Sequence, residues 1–64
     1  MYPDVAESYN NMALVYDEQG DYSKALEYYQ KALNIREAKL GAEHPDTIDV
    51  KESIEIVKSK LNSV

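Results

Sequence analysis

Catalysis needs a nucleophile, a general base or a metal ligand held in a pocket, and this chain of 64 residues offers few such groups. His44 is its single histidine, and it has no cysteine. One imidazole beside Glu43 and Asp46 would make a weak metal contact at most. A structural zinc site needs about four ligands, mostly thiolate and imidazole. His44 stands directly before Pro45 and reads as a turn residue. Asp17–Glu18 and Glu52–Glu55 are examples of neighbouring carboxylate pairs. Both read as solvated helix faces rather than as an acid/base couple. Two isolated glycines, Gly20 and Gly41, cannot build a phosphate-cradling loop. No enzyme, no cofactor and no metal is expected.

Binding chemistry is better represented. The chain has six tyrosines, a residue type favoured at interfaces. Tyr9, Tyr16, Tyr22 and Tyr29 fall on apolar helix stripes and are expected in the core. Tyr2 and Tyr28 fall off those stripes and are expected to be exposed, as a candidate self-association face. Asn10 and Asn11 sit together within a helical pattern, where asparagine costs a few tenths of a kcal/mol each. That cost suggests a role other than stability.

These groups must be positioned by helices. Gly20 is one break, and Leu40-Gly41-Ala42-Glu43-His44-Pro45-Asp46 is the other. Glycine closes a helix, and proline fits the first turn of the next. Three segments result: helix A over about 3–19, helix B over about 22–40 and helix C over about 46–62. Asp4 and Glu7 have capping-box spacing, and Asp21 is a good N-cap for helix B. Val5, Tyr9, Met12, Ala13 and Tyr16 form the apolar stripe of helix A. Tyr22, Ala25, Leu26, Tyr29, Ala32, Leu33, Arg36 and Leu40 form that of helix B, with Glu27 and Lys31 as an i,i+4 pair. Val50, Ile54, Val57, Leu61 and Val64 make a narrower seam on helix C. No useful stretch alternates as a strand would. The expected fold is all-α. Residues 1–42 form an antiparallel helical hairpin, and residues 43–64 a turn and a capping helix.

The chain repeats itself at a shift of 42 residues. Tyr2-Pro3-Asp4-Val5 returns as His44-Pro45-Asp46-Thr47. Met12, Leu14 and Val15 meet Ile54, Ile56 and Val57. Tyr9, Ala13 and Tyr16 meet Lys51, Glu55 and Lys58. Helix C thus stands where a second helix A would, without its aromatic anchors. A terminal cap has this character, with one face packed and the other solvated.

The run from Tyr9 to Leu33 resembles a tetratricopeptide repeat. Tyr9, Met12, Ala13, Tyr16, Gly20, Tyr22, Ala25, Tyr29 and Ala32 fall at that family's spacing. Ala13 stands where many repeats have glycine. Glu37 stands where the proline ending the usual repeat of about 34 residues would be. The extension through Ile35-Arg36-Glu37-Ala38-Lys39-Leu40-Gly41 resembles the 42-residue repeats of kinesin light chains. The resemblance implies a scaffold for protein–protein interaction, in which helix A lines a concave peptide-binding groove. Carried over position by position, that groove is Glu7, Asn10, Asn11, Leu14, Asp17 and Glu18. Asn11 matches the asparagine that often bonds a peptide backbone in this family.

Charge narrows the partners. Net charge is −5. Nucleic acids and anionic membranes are not expected partners, since both want a basic face. Residues 1–21 carry five acidic side chains and no basic one, whereas residues 22–42 carry four basic and two acidic. Asp17 and Glu18 lie at the C-terminal end of helix A, which disfavours carboxylates. They call for Lys24, a basic residue of another chain or a basic peptide. The expected ligands are therefore basic or neutral peptides. One repeat supplies one rung of a groove, so a rival reading is a self-assembly unit, dimerising by helix exchange or stacking head-to-tail. A monomer that orders only on association is a third. The lack of cysteine and of a leader segment suggests a cytoplasmic, designed or excised fragment.

Overall fold

Asp4 starts the first helix. Its carboxylate accepts the Glu7 backbone N–H at 3.1 Å, which satisfies one of the donors a helix N-terminus leaves open. The computed structural model describes residues 4–63 and contains α1 (Val5–Glu18), α2 (Tyr22–Leu40) and α3 (Pro45–Asn62). The described residues contain no strand.

The α1–α2 turn is short because Gly20 adopts φ +82°. Gly20 N–H donates to Asp17 at 3.0 Å and Asp21 N–H to Tyr16 at 2.9 Å. This double closure uses the last carbonyls of α1 and reverses the chain. Asp21 then caps α2 through Lys24 N–H at 3.3 Å. The second turn opens at Gly41, φ +91°, where a side chain would be strained. His44 is extended, as a residue before proline prefers. Its Nδ1 accepts Asp46 N–H at 3.1 Å, so the chain's one histidine serves as the N-cap of α3.

α2 lies between the other two helices and packs on both. The three spread into a slab of 39 × 24 × 13 Å. Such a slab is thin, because a helix with its side chains is itself about 10–12 Å across. Ala13, Ala25 and Ala32 are wholly buried and allow close backbone approach, and Tyr29, Leu33, Val50, Ile54 and Val57 fill the core around them.

Several sequence expectations fail, each for a reason of packing. Val5 and Met12 were placed on the core stripe of α1 but are 47% and 43% exposed. α1 packs chiefly on α2, so only one of its two apolar arcs is covered. Ala6 is buried in their place. Leu40 and Leu61 lie in the last turns of α2 and α3 and are exposed. Thr47 extends the seam of α3 and is wholly buried. Val64 and Tyr2 lie outside the described residues.

Tyr28 is not exposed either. It is half-buried, and its ring lies 6.0 Å from Tyr9 and 5.4 Å from Tyr16, nearly parallel to the latter. Tyr9 and Tyr16 stand two turns apart on α1, and Tyr28 enters between them from α2. A helix packed on both sides buries a wider arc than one stripe. Lys31 was expected to pair with Glu27. Its ammonium lies over the rings of Tyr28 and Tyr9, at 5.2 and 5.6 Å.

Candidate peptide-binding groove

α1 and α3 occupy corresponding places on either side of α2, and the trough between them is the candidate site. The expected groove residues Glu7, Asn10, Asn11, Leu14, Asp17 and Glu18 are spaced so that one face of α1 carries all six; of these, Asn10 lines the cleft beside α3 and Asp17 pairs with Lys60 of α3. Asn10 and Asp17 are half-buried; Glu7, Asn11, Leu14 and Glu18 are exposed.

At one end the trough deepens into a cleft of about 200 Å³ lined by Asn10, Arg36, Asp46, Asp49, Val50 and Ser53. This is smaller than the roughly 300–1,000 Å³ of a small-molecule site. It is suited to one polar side chain. Arg36 rises from α2 with its side chain 17% exposed and meets Asp46 at 3.9 Å. That contact is too long for a tight bidentate pair. Asp49 adds a second carboxylate from α3, and Asn10 offers both donor and acceptor from α1. The lining carries two carboxylates against one guanidinium, so it favours a positive or neutral guest.

At the other end an ion pair bridges the walls. Lys60 Nζ lies 3.1 and 3.4 Å from the two Asp17 carboxylate oxygens. It also lies 5.8 Å from the centre of the Tyr22 ring. Asp17 therefore finds its partner on α3, 43 residues away. Lys24, the partner expected nearby, sits over the Tyr16 ring at 5.5 Å. Between the two ends Tyr29 rises from α2. Burial raises its phenol above the ordinary value of 10.0, and the nearby Asp17 charge raises it further. The nearby Ser53 hydroxyl and Lys60 ammonium pull the other way. Tyr29 is buried in the core formed by α2 with its two neighbours.

Of the six residues expected on α1, Asn10 and Asp17 meet groups of α3; the residues of α3 were not assigned from the sequence. Their signal lay in the repeat. At a shift of 42, Glu7, Asn11 and Glu18 fall on Asp49, Ser53 and Lys60. Reading groove positions onto helix C would have found both the cleft and the bridging lysine. Arg36 was assigned to the α2 core stripe, whereas its head lines the cleft. Tyr28, the other half of the expected self-association face, is committed to its own chain by Tyr9 and Tyr16.

Among the described residues no helix is long and apolar enough to cross a membrane, and no three acidic, histidine or cysteine side chains gather as metal ligands would. A family model described as tetratricopeptide repeat matches residues 5–46. No curated protein and no solved structure gave a match.

Proposed function

Because this chain belongs to the tetratricopeptide repeat family, whose members are scaffolds for protein–protein interaction, we propose that the trough between α1 and α3 holds a peptide carrying a basic side chain. The cleft lined by Asn10, Arg36, Asp46, Asp49 and Ser53 carries this reading. It joins an amide able to pair with a backbone to two carboxylates able to hold a lysine or arginine. The Asp17–Lys60 pair supports it, since Lys60 already shows an ammonium accepted by this trough. The length of the matched segment, 5–46, and the extended α2 support placing the unit with the longer, kinesin-light-chain-like repeats.

The test is a titration of the chain with lysine-rich, neutral and acidic peptides, followed by amide chemical shifts. Binding is expected for the basic peptides, weakening as salt rises. Shifts should centre on Asn10, Asp49 and Ser53, and Asp49→Asn should lower affinity without moving the unfolding midpoint. Preference for the acidic peptide, or shifts confined to α1 residues outside the trough, would remove the site. The exposed arc of α1 favours a second reading, association through helix faces rather than through the trough.

A further inference from the structure

One-electron oxidation of this chain falls to tyrosine, because the sequence holds six tyrosines and neither cysteine nor tryptophan. The fold gathers three of them into one ladder. The Tyr28 ring of α2 lies 5.4 Å from that of Tyr16 and 6.0 Å from that of Tyr9, both on α1. The planes of Tyr16 and Tyr28 differ by only 14°. Parallel rings at that separation are offset, with the edge of one over the edge of the other. Two phenols therefore touch across the helix pair within a single chain. Among the described residues no such ring pair includes Tyr22 or Tyr29.

The pair is also within reach of a small oxidant. Tyr16 and Tyr28 are half-buried rather than sealed. Tyr16 opens onto a shallow cleft of about 210 Å³ shared with Met12, Val15 and Gln19. Lysine ammoniums lie 5.5 Å above the Tyr16 ring and 5.2 Å above the Tyr28 ring. A cation over the ring favours its negative face and opposes a radical cation there. Each phenol must then lose its O–H proton to water together with the electron, which leaves a neutral phenoxyl radical.

We infer that Tyr16 and Tyr28 form an oxidative cross-linking site, at which an oxidant of the haem-peroxidase class, acting with hydrogen peroxide, joins α1 to α2 as dityrosine. Each phenol gives up one electron and one O–H proton. The two radicals couple through one new bond between ortho carbons. The hydrogen on each coupled carbon then moves to the oxygen, restoring both phenols. The two electrons and two protons released reduce one peroxide to two waters. The link closes residues 16–28 into a loop. It constrains the unfolded chain as a disulfide would, in a chain short enough to need a staple and without the cysteine to make one. The site is independent of the groove reading, since neither tyrosine lines the cleft beside α3.

The experiment treats the full chain, dilute and at neutral pH, with a haem peroxidase and hydrogen peroxide. The expected product shows dityrosine fluorescence and the monomer mass less two hydrogens. Methionine oxidation adds an oxygen instead and is told apart by mass. The unfolding midpoint of the product should rise by about 5–15 °C. Tyr28→Phe keeps the ring and should lower the monomeric cross-link roughly tenfold, because the held geometry is lost as a reactive pair. Tyr16→Phe should lower it less, leaving the more distant Tyr9. Tyr22→Phe should leave it unchanged. In urea the yield in the parent should fall, since unfolding disperses the pair. A product chiefly of dimer mass, a yield insensitive to urea, or a monomeric cross-link retained in Tyr28→Phe would overturn the site. A cross-linked chain no more stable than the parent would overturn its action as a staple.

Discussion

α1 and α3 stand in the same register of one repeat, pack on the same helix, and bury different faces, about 100° apart around the helix. α1 meets α2 through Ala6 and Ala13, with Tyr9 and Tyr16 interleaved with Tyr28. Lysines 24 and 31 lie over these rings from α2. This is a close junction, in which small residues set the separation and aromatics fill the remainder. α3 meets α2 through a seam of threonine, valine and isoleucine, with ion pairs at its margins: Arg36–Asp46 to α2 and Lys60–Asp17 across to α1. The two junctions differ in tolerance. The first depends on what is missing from the side chains, the second on what fills them.

Five substitutions probe that contrast. Tyr29→Ala should be the most damaging, because Tyr29 is buried in the core and its hydroxyl end lies near groups of both flanking helices. A loss of about 3–5 kcal/mol is expected for such an aromatic, enough to abolish the cooperative thermal transition followed by circular dichroism. A transition surviving near the parent midpoint would show that the two junctions stand without their shared anchor.

Ala13→Leu should cost about 1–3 kcal/mol by overpacking, whereas Ile54→Leu, which conserves volume, should cost less than about 1.5 kcal/mol. Denaturant midpoints would compare them directly. Equal losses would erase the proposed difference between a close junction and a filled seam.

Thr47→Val should stabilise the chain, by about 1 kcal/mol. The Thr47 hydroxyl is wholly buried and finds no hydrogen-bond partner. Valine keeps the shape while removing an unsatisfied group. A lower midpoint in this variant would mean that the hydroxyl has a partner after all.

The smallest effect concerns pH. The Tyr29 phenol titrates above its ordinary value of 10.0 in the folded chain, first because it is buried and second because Asp17 is near. The folded state therefore holds this proton more tightly than the unfolded state does. Its contribution is complete below about pH 10 and is lost as pH rises past that value. Tyr29→Phe should flatten the alkaline decline in the unfolding midpoint between pH 9 and 11, relative to the parent. An unchanged slope would mean that the hydroxyl is solvated rather than buried with the rest of the ring.

Much of this molecule was written locally. Helix periodicity, the aspartates at positions 4 and 21, and the glycines at 20 and 41 depend on neighbours within a few residues, so the sequence alone determined three helices and two turns. Alanines at 13, 25 and 32 announced a close crossing in the same way. The repeat at a shift of 42 also lay in plain view. Spacing on a helix specifies an angle but does not say which angles a neighbour covers. α1 carries two apolar arcs, one through Ala6, Tyr9, Ala13 and Tyr16, the other through Val5, Met12 and Val15. Only the placement of α2 decided that the first is buried and the second faces solvent. Tyr28 was drawn inward because α2 is packed on both sides. Asp17 met Lys60 because packing on a shared helix brings the ends of α1 and α3 together, a proximity that no local pattern encodes.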